Sequence, residues 1–349
     1  MSGPPSTSSK PEAPPPPPPH MQVIQMAMGY WVSRILYAGA KLDLADKLAS
    51  GPKTAAELAG PTGTDAPSLH RLMRTLASLG ILTEREGKRF ALTPLGETLK
   101  TGAPGSARAT VLTIAGPTFY RAWDEILYSF QTGKTAFEKV FGMPAFDYLA
   151  KHPEEASMFS ETMVGLHGPE TPAVAAACDF SKFETVVDVG GATGNMLAAV
   201  LRLHPGPRGI LFDLPHVVRE APALLRAAGV ADRVTIESGS FFETVPKGGD
   251  AYILSHIIHD WSEAQCLTIL GHVRRNIAPG GKLLIVEMVL PPGDAPHPGK
   301  LLDITMLLMP GGQERTPEEY AELLAKAKFR MERVVPTESP VGVVEAVPV

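Results

Sequence analysis

The sequence predicts an α/β fold with a mostly parallel sheet, preceded by a mainly helical N-terminal region. From residue 183 onward, short apolar runs alternate with segments of helical periodicity, whereas residues 107–180 carry helical patterns throughout. Residues 186–194 place an apolar strand directly before a glycine-rich turn, which is typical of the ligand-binding edge of a parallel sheet. Short strands joined by helices predict a sheet that is covered on both faces.

The N-terminal region is predicted to form a winged helix-turn-helix. Apolar residues recur at helical intervals over 21–48, and further helices are expected over 54–58 and 67–79, separated by a break at 60–63. A hairpin follows, turned at Glu86 and Gly87, with strands over 81–83 and 89–92. This order of helices and hairpin is the winged-helix pattern.

A winged helix is compatible with DNA binding or with dimerisation, and the charge balance favours dimerisation. Residues 53–100 hold seven basic and five acidic side chains, a net charge of +2. A protein that reads duplex DNA commonly makes about 6 to 10 phosphate contacts, for which this balance is thin. We therefore expect a dimerisation module, and a ligand-sensing DNA-binding regulator stays open as the alternative.

The second half of the chain alternates strands with helices, and two helix starts carry strong signals. Ser262 with Gln265, and Thr316 with Glu319, have the spacing of capping boxes. The last two strands should add an antiparallel edge to the sheet. The predicted strands cover 185–189, 209–212, 234–237, 251–254, 282–289, 331–335 and 341–346. The predicted helices cover 195–204, 217–228, 263–277 and 317–327.

The overall composition points to a soluble, cytoplasmic globular protein. The chain has 349 residues, of which 44% are hydrophobic, enough for a large core and more than one domain. A net charge of −5 gives no general attraction to nucleic acid or anionic membranes, and no apolar run reaches the roughly 18 to 20 residues of a spanning helix. Cys178 and Cys266 lack a metal-ligand spacing, which predicts buried thiols in a reducing compartment.

The glycine-rich turn predicts a socket for an adenosine-containing cofactor. Gly190, Gly191 and Gly194 allow backbone N–H groups to approach a ligand closely. Asp188 would repel a pyrophosphate but suits a sulfonium cation beside an α-amino group, and Asp213, at the end of the next strand, can accept bonds from both ribose hydroxyls. S-adenosylmethionine therefore fits the turn better than NAD.

His259 is the strongest candidate for a catalytic group. It follows the strand that ends near Leu254, at the edge of the sheet where open α/β folds bind ligands. Glu287 lies near the end of the next strand and Glu314 in a glycine-rich loop, so that either carboxylate can orient the imidazole of a general base. Two alternatives stay open for His259. It is a buried structural histidine, or it forms a metal site with His256 and Asp260.

Taken in order, these motifs resemble the class I small-molecule O-methyltransferases. The resemblance rests on residues 188–194, 212–215, 259–261, Glu287 and 311–316, and it covers nearly everything from Met21 to the end. The family includes plant caffeic acid and flavonoid enzymes, acetylserotonin O-methyltransferase and bacterial polyketide-tailoring enzymes. It implies a Rossmann-like methyltransferase sheet, S-adenosyl-L-methionine as cofactor, no metal, and transfer of a methyl group to a hydroxyl, expected to be phenolic, of an aromatic small molecule.

The resemblance also assigns domains and roles. It implies a Pro-rich disordered tail over 1–20, a winged-helix homodimerisation domain over 21–105 that contributes to the partner's active site, a helical linker over 106–180 that contributes to the substrate pocket, and a catalytic domain over 181–349. His259 becomes the general base, flanked by Glu287 and Glu314. The expected cofactor-binding residues are Asp188, Gly190, Gly191, Gly194, Asp213, Leu214, Ser240, Phe241 and Ser255. The expected acceptor pocket contains Phe119, Trp123, Met163, Met306 and Met309.

The chain departs from the family pattern at three positions. Ala192 stands where many relatives have a third glycine, and Ser240 stands where the family usually has an aspartate that addresses the adenine amino group. Because a hydroxyl accepts only a neutral hydrogen bond, we expect weaker cofactor binding or a water-mediated contact at Ser240. Met309 replaces an asparagine that is common in plant enzymes, which argues against their acceptors. A decarboxylase or hydroxylase on the same fold stays open, although His259 with both glutamates disfavours it.

Overall fold

The computed structural model describes residues 16–103 and 105–349, which divide into two compact units. The first ends at Val111 and the second runs from Leu112 to Val349. Residues 1–15 of the predicted tail lie outside the described residues, and the last two residues of that predicted tail open the first helix. Within the described residues, no helix is long and apolar enough to cross a membrane.

The first unit contains helices packed around a two-stranded hairpin. Its helices are α1 (Pro19–Ala27), α2 (Gly29–Lys41), α3 (Leu44–Leu48), α4 (Ala55–Thr62), α5 (Ala66–Ser78) and α6 (Pro94–Glu97). Its strands are β1 (Leu82–Arg85) and β2 (Arg89–Leu92), which pair antiparallel as the sequence predicts. The core of this unit holds Leu69, Met73 and Leu76 of α5 against Leu58 and Phe90.

The predicted break at 60–63 is wrong, because α4 continues to Thr62 with Pro61 inside its last turn. The Thr62 hydroxyl donates to the carbonyl of Leu58 at 2.7 Å, which adds a side-chain hydrogen bond to the last turn of the helix. Gly63, with a φ of 63°, then ends the helix in the left-handed conformation.

The second unit opens with helices that precede its sheet. They are α7 (Arg108–Ile114, which begins before the boundary), α8 (Pro117–Asp124), α9 (Ile126–Thr132), α10 (Ala136–Phe141), α11 (Ala145–Lys151), α12 (Pro153–His167) and α13 (Glu170–Ala177). Several of these helices start at proline, which suits the first turn because its N–H would have no helical partner.

A seven-stranded sheet forms the centre of the second unit. Its strands are β3 (Thr185–Val189), β4 (Arg208–Asp213), β5 (Val234–Ser238), β6 (Ala251–Ser255), β7 (Lys282–Glu287), β8 (Phe329–Pro336) and β9 (Gly342–Pro348). They lie in the order β5-β4-β3-β6-β7-β9-β8, with the first five parallel and the β8–β9 pair antiparallel. The predicted parallel sheet with an antiparallel edge is confirmed.

Helices alternate with these strands along the chain, and most of them pack on one or the other face of the sheet. They are α14 (Asn195–Leu203), α15 (Ala221–Ala227), α16 (Glu263–Asn276), α17 (Pro298–Leu308) and α18 (Pro317–Lys326). One core cluster gathers residues such as Leu197 and Leu201, and another holds Tyr252, Ile269 and Tyr320. Both predicted capping boxes are present, at the starts of α16 and α18.

Helix α17 is an α-helix of this unit that was not predicted from the sequence. It follows a stretch dense in proline and glycine, which indicates a loop, and its apolar run is short. The helix nevertheless begins at Pro298, where the side chain of His297 accepts a hydrogen bond from the N–H of Gly299. The carboxyl ends of β3, β4, β6 and β7 meet at one edge of the sheet, and this edge holds the candidate site.

Candidate active site

The turn after β3 has an unusual backbone conformation and close contacts that favour glycine. Gly190 and Gly194 have φ values of 72° and 89°, in the left-handed region that favours glycine, and Ala192 shares that region at 49°. A Cβ atom on Gly191 would lie 2.5 Å from Cγ of Asp188, and one on Gly190 would lie 2.4 Å from Cδ1 of Ile257. These contacts and the positive φ of Gly190 favour glycine at both positions, and α14 begins directly after the turn.

Asp188 is a buried carboxylate without a partner. It is fully buried near the end of β3, and neither oxygen has a hydrogen-bond partner among the described residues. Burial, assisted by the nearby charge of Asp213, raises the pKa of Asp188 from 3.8 to about 7. An unpaired buried carboxylate is costly, and a cation beside this turn would remove that cost.

Asp213 ends β4 and closes the other side of the turn. One carboxylate oxygen accepts the N–H of Ala192 at 2.9 Å, and the other accepts the N–H of Leu214 at 2.6 Å. Burial raises the pKa of Asp213 despite these two bonds. Each oxygen keeps a further lone pair for a hydroxyl donor, so the arrangement is compatible with the predicted ribose contact.

The residues after β5 and β6 lie at the same edge of the sheet. The hydroxyl of Ser240 accepts the N–H of Phe242 at 3.2 Å, so its oxygen is engaged with its own loop. Phe241 and Phe242 both meet Trp261 edge to face, with ring centroids 5.9 and 4.8 Å away. The indole N–H of Trp261 is buried without a hydrogen-bond partner among the described residues. Trp261 belongs to the 259–261 motif but was not predicted as a site residue.

His259 lies in a short 3₁₀ turn, Ile258–Asp260, that follows β6. Its Nδ1 lies 2.6 Å from Oε1 of Glu314 and 3.1 Å from Oε2 of Glu287. Its backbone N–H donates to Oε1 of Glu287 at 3.2 Å. Both predicted glutamates therefore meet the same ring nitrogen, rather than standing on either side of the imidazole, and Nε2 makes no hydrogen bond with a described residue.

Burial dominates the electrostatics of this cluster. It raises the pKa of Glu287 well above the usual range, with a further contribution from the charge of Glu314. It also raises the pKa of Glu314 to about 7 and that of Asp260 to about 6, and lowers the pKa of His259. The imidazole is consequently neutral at neutral pH, the form in which a histidine can accept a proton.

A glycine pair explains how the Glu314 loop reaches His259. A Cβ atom on Gly312 would lie 1.9 Å from the carbonyl oxygen of His259, so the loop backbone packs directly on the histidine turn. The N–H of Glu314 donates to Asp303 at 2.9 Å, and the buried guanidinium of Arg315 donates to the carbonyl of Ile258 at 3.3 Å. These contacts hold the loop against α17 and against the turn that carries His259.

Three predicted pocket residues lie in one apolar cluster. Phe119 and Trp123 of α8 and Met309, just after α17, pack with Phe137 and Leu308. Met163 lies half-buried on α12, and Met306 is buried on α17; neither belongs to this cluster. The structure thus brings together part of the predicted acceptor wall and leaves the other two residues on adjoining helices.

A histidine–glutamate group beside His259 was not predicted from the sequence. His256 follows β6 with a φ of 53°, a strained conformation for a residue other than glycine. Its Nε2 lies 2.8 Å from Oε2 of Glu170, and the same oxygen lies 3.0 Å from Nδ1 of His167. Because Glu170 is 86 residues from His256 along the chain, no local pattern could have joined them.

Among the residues that the structure describes, two groups of side chains have ligand atoms close enough for a metal ion. One joins His167, Glu170 and His256, and the other joins His256, His259 and Glu287. In the first group both imidazole nitrogens already meet one carboxylate oxygen at hydrogen-bond distance, and in the second the nitrogen of His259 is bonded to Glu314. Ordinary hydrogen bonding explains these contacts, and we assign no metal to them.

Comparison with known proteins identifies the family. Residues 123–330 match the O-methyltransferase domain, and residues 24–102 match the O-methyltransferase dimerisation domain. The phenazine O-methyltransferase PhzM of Lysobacter antibioticus is 48% identical over 327 residues, which is 94% of this chain and 96% of that protein. The proteins compared lend no support to a DNA-binding regulator, a decarboxylase or a hydroxylase.

Solved structures agree with the family match. The crystal structure of LaPhzM has a TM-score of 0.90 at 48% identity and covers 95% of this chain and 100% of that one. The structure of NcsB1, from neocarzinostatin biosynthesis, contains S-adenosylmethionine and 2-hydroxy-5-methyl naphthoic acid; its TM-score is 0.79 at 30% identity, covering 91% and 96%. The unpartnered Asp188 and the glycine turn fit that cofactor. The chain belongs to the O-methyltransferase family that uses S-adenosylmethionine to methylate aromatic small molecules.

Proposed function

We propose that this protein methylates a phenolic hydroxyl of a fused-ring aromatic metabolite, with His259 as the general base. The single observation that carries this proposal is the pairing of His259 with Glu314. The bond at Nδ1 keeps the ring proton on that nitrogen, and Nε2 makes no hydrogen bond with a described residue. The free lone pair is therefore on Nε2, at the edge of the sheet where the ligands of this fold bind.

The chemistry needs a base because a phenol is a weak nucleophile when protonated. A phenol with a pKa of about 10 is mostly neutral at pH 7, which costs on the order of 4 kcal/mol for a reaction through the phenolate. A positioned base recovers typically 10²- to 10⁴-fold in rate. When bound, S-adenosylmethionine supplies the electrophilic methyl group, and His259 accepts the hydroxyl proton at Nε2.

The buried glutamates orient the base and stabilise its charged form. Glu314 accepts the Nδ1–H of His259, and this interaction strengthens when the imidazole gains a proton. Glu287 holds the backbone N–H of the same residue and so fixes the position of the turn. Neither glutamate touches the acceptor in this proposal.

The cofactor is held by the turn after β3 and the neighbouring strand ends. Asp188 would face the positive charge of the cofactor, and Asp213 would accept its ribose hydroxyls. The proposed binding set is completed by the backbone of the turn and by the residues at the ends of the neighbouring strands: Gly190, Gly191, Gly194, Leu214, Ser240, Phe241 and Ser255. Because the Ser240 hydroxyl already accepts a backbone N–H, we expect its contact with the adenine to be weak.

The acceptor pocket is proposed to lie against the apolar cluster around α8 and α17. Phe119, Trp123 and Met309 offer flat, apolar surface, and Met163 and Met306 extend it on adjoining helices. Thioether and aromatic side chains suit planar rings. The similarity to enzymes whose names and ligands include a phenazine and a naphthoic acid supports a fused-ring acceptor.

We also propose that the protein works as a homodimer joined through its first unit. That unit matches a dimerisation domain, and its first two helices expose a row of large apolar side chains. Contribution of each dimerisation domain to the partner's active site, and a cytoplasmic location consistent with the buried free thiols of Cys178 and Cys266, belong to the same proposal.

A substrate screen tests the proposed function. Purified protein is incubated with methyl-labelled S-adenosylmethionine and a panel of phenolic, quinonoid and polyketide compounds, and products are read by mass spectrometry. We expect one labelled methyl group on the oxygen of a fused-ring phenol, with S-adenosylhomocysteine formed in equal amount. Labelled product on carbon or nitrogen alone, or S-adenosylhomocysteine without a methylated product, would refute the proposal.

A further inference from the structure

The histidine–glutamate group beside the base is placed to control the base itself. His167, Glu170 and His256 form a connected set that ends against Glu287, which in turn contacts His259. All of these residues belong to the second unit. His256 lies on the loop after β6, Glu287 ends β7, and Glu170 begins α13, so three separate elements meet at this point.

Glu170 determines which nitrogen of His256 carries the proton. Burial acts to raise the pKa of Glu170, but its hydrogen bonds with His167 and His256 outweigh burial and lower that pKa to about 2. An ionised carboxylate only accepts hydrogen bonds, so the His256 nitrogen that faces it must be N–H. His256 is neutral, because burial lowers its pKa to about 4, and its proton is therefore on Nε2.

The other nitrogen of His256 is then an unprotonated acceptor that faces Glu287. Nδ1 lies 3.8 Å from Oε2 of Glu287, beyond hydrogen-bond distance, and both atoms are buried without a hydrogen-bond partner among the described residues. Two lone pairs facing each other in a dry site repel if Glu287 is ionised. A proton on Oε2 removes this repulsion, so the arrangement favours the neutral acid at Glu287.

The same reasoning assigns the charge of the second glutamate. His259 Nδ1 makes its hydrogen bond to Glu314, at 2.6 Å, while the Glu287 oxygen at 3.1 Å lacks hydrogen-bond geometry. Two buried carboxylates at one nitrogen cannot both hold a negative charge cheaply, so one of them takes a proton. Glu314, which receives the N–H, is the ionised member.

We propose that Glu170 and His256 are positioning residues that fix the proton order around His259: Glu170 keeps the His256 proton on Nε2, the unprotonated Nδ1 keeps Glu287 neutral, and of the two glutamates only Glu314 bears a negative charge at Nδ1 of His259. That nitrogen consequently faces one carboxylate charge instead of two, while Asp260 lies on the other side of the ring, with Oδ1 3.7 Å from Nε2. The proton order can be measured on the protein alone. Only its effect on catalysis rests on the proposed function, in which His259 is the general base.

Loss of the Glu170 charge should raise the pKa of His259. In Glu170→Gln the side-chain amide can face His256 with either its oxygen or its nitrogen, so the His256 proton is free to move to Nδ1. An N–H there would stabilise an ionised Glu287, whose oxygen lies 3.1 Å from Nδ1 of His259. A second negative charge so close favours the imidazolium and raises the pKa of His259.

Other charged and titratable groups face this cluster and also contribute to the pKa values of its histidines and glutamates. Asp260 lies beside His259 on the same turn, and Arg315 follows Glu314 on its loop. The remaining groups come from α12, α13, α16, α17 and α18: His167, Glu170, Cys266, Asp303 and Tyr320. Apart from Glu170 itself, the only one of these groups that Glu170→Gln affects directly is His167, whose Nδ1 contacts the same carboxylate oxygen.

The test reads the histidines directly by ¹⁵N NMR on full-length protein labelled at histidine, without cofactor or acceptor. Signals are assigned by their loss in His256→Asn and His259→Gln. Asparagine suits position 256 because it tolerates a positive φ. We expect the Nε2–H form of His256 at pH 7 in the wild type, a mixture with the Nδ1–H form in Glu170→Gln, and a rise of about one unit in the pKa of His259, a tenfold change in proton affinity.

A matched control separates this role from a general loss of buried charge. Glu345 is equally buried and paired to Lys282 and Arg333, but it lies beside the opposite end of β7, so Glu345→Gln should leave the His259 titration unchanged. His256→Asn should raise the His259 pKa as Glu170→Gln does. An Nδ1–H or cationic His256 in the wild type, an unchanged His259 pKa in both variants, or an equal rise in Glu345→Gln would each overturn the proposal.

Discussion

Nδ1 of His259 lies 2.6 Å from Oε1 of Glu314, although the two residues are 55 positions apart in the sequence. The contact exists because the glycine pair before Glu314 lets its loop press against the backbone of the histidine turn. It fixes the tautomer of a buried imidazole and leaves the free lone pair on Nε2, which is the proton acceptor in the proposed mechanism. The proposed chemistry of the site depends on this contact more than on any other.

Glu314→Gln should slow the reaction without preventing binding. The amide retains the volume of the side chain but has no negative charge to stabilise the imidazolium that forms in the reaction. We expect kcat to fall by at least about tenfold with little change in the KM for S-adenosylmethionine. Glu318→Gln, an exposed acid at the start of α18, is the control and should keep wild-type kcat. Equal kcat values for the two variants would show that the charge of Glu314 has no catalytic role.

Gly190→Ala should weaken cofactor binding, and Gly229→Ala should not. Both glycines have a φ of 72°, so alanine pays the same backbone cost of about 1 to 2 kcal/mol at either position. The new Cβ meets Ile257 at 2.4 Å in the first case and nothing within 4 Å in the second. Calorimetry should give at least about tenfold weaker binding of S-adenosylmethionine for Gly190→Ala only. Similar affinities for both variants would mean that close backbone approach is not needed.

Asp188→Asn should stabilise the cofactor-free protein while weakening cofactor binding. The folded-state pKa of Asp188, about 7, lies above the ordinary value of 3.8, so the folded chain binds this proton more tightly than the unfolded chain does. Stability is therefore lost as the pH rises from about 4 to about 7, and asparagine avoids that loss. The Tm advantage of the variant should grow between pH 5 and pH 8, on the order of 5 °C.

Cofactor-induced stabilisation of the wild type and of Asp188→Asn tests the same role of Asp188 independently. Saturating S-adenosylmethionine should raise the Tm of the wild type at pH 8 more than that of Asp188→Asn, since only the ionised carboxylate gains a cation. A Tm difference that stays constant with pH, or an equal cofactor-induced rise in both proteins, would contradict the proposed role of Asp188.

Trp31→Asp should convert the protein to a monomer. Trp31 is 54% exposed on α2, and Met26 of α1 is 77% exposed, an apolar surface that a dimerisation domain would cover. A buried carboxylate at such an interface has no partner and costs several kcal/mol. Light scattering should show the wild type as a dimer and the variant as a monomer. Leu203→Asp, at a 53% exposed position on α14, is the control and should remain dimeric.

Much of the fold could be predicted because its signals are local. The strands of the sheet were visible as short apolar runs between glycines and helical segments, and the capping boxes at Ser262 and Thr316 depend on residues three positions apart. Helix α17 was missed for the same reason, since a local reading of its proline-rich start indicates a loop. The predicted break in α4 was wrong because the Thr62 hydroxyl supports the last turn.

The site was only partly predictable because its geometry is not local. His259, Glu287 and Asp213 could be proposed as site residues because each lies at or near the carboxyl end of a predicted strand. That both glutamates meet one ring nitrogen depends on how the Gly311–Gly312 loop packs on the histidine turn, which spacing does not encode. The contact of His256 with Glu170 joins two elements of the second unit that are distant in sequence, and only the folded chain brings them together.

His259→Gln gives the most direct test of the proposed mechanism. Turnover with an acceptor found by the screen and the dissociation constant of S-adenosylmethionine are measured side by side for the wild type and the variant. If Nε2 of His259 takes the acceptor's proton, kcat falls by at least about tenfold while cofactor affinity stays the same. Wild-type turnover in the variant would contradict the assignment of His259 as the base.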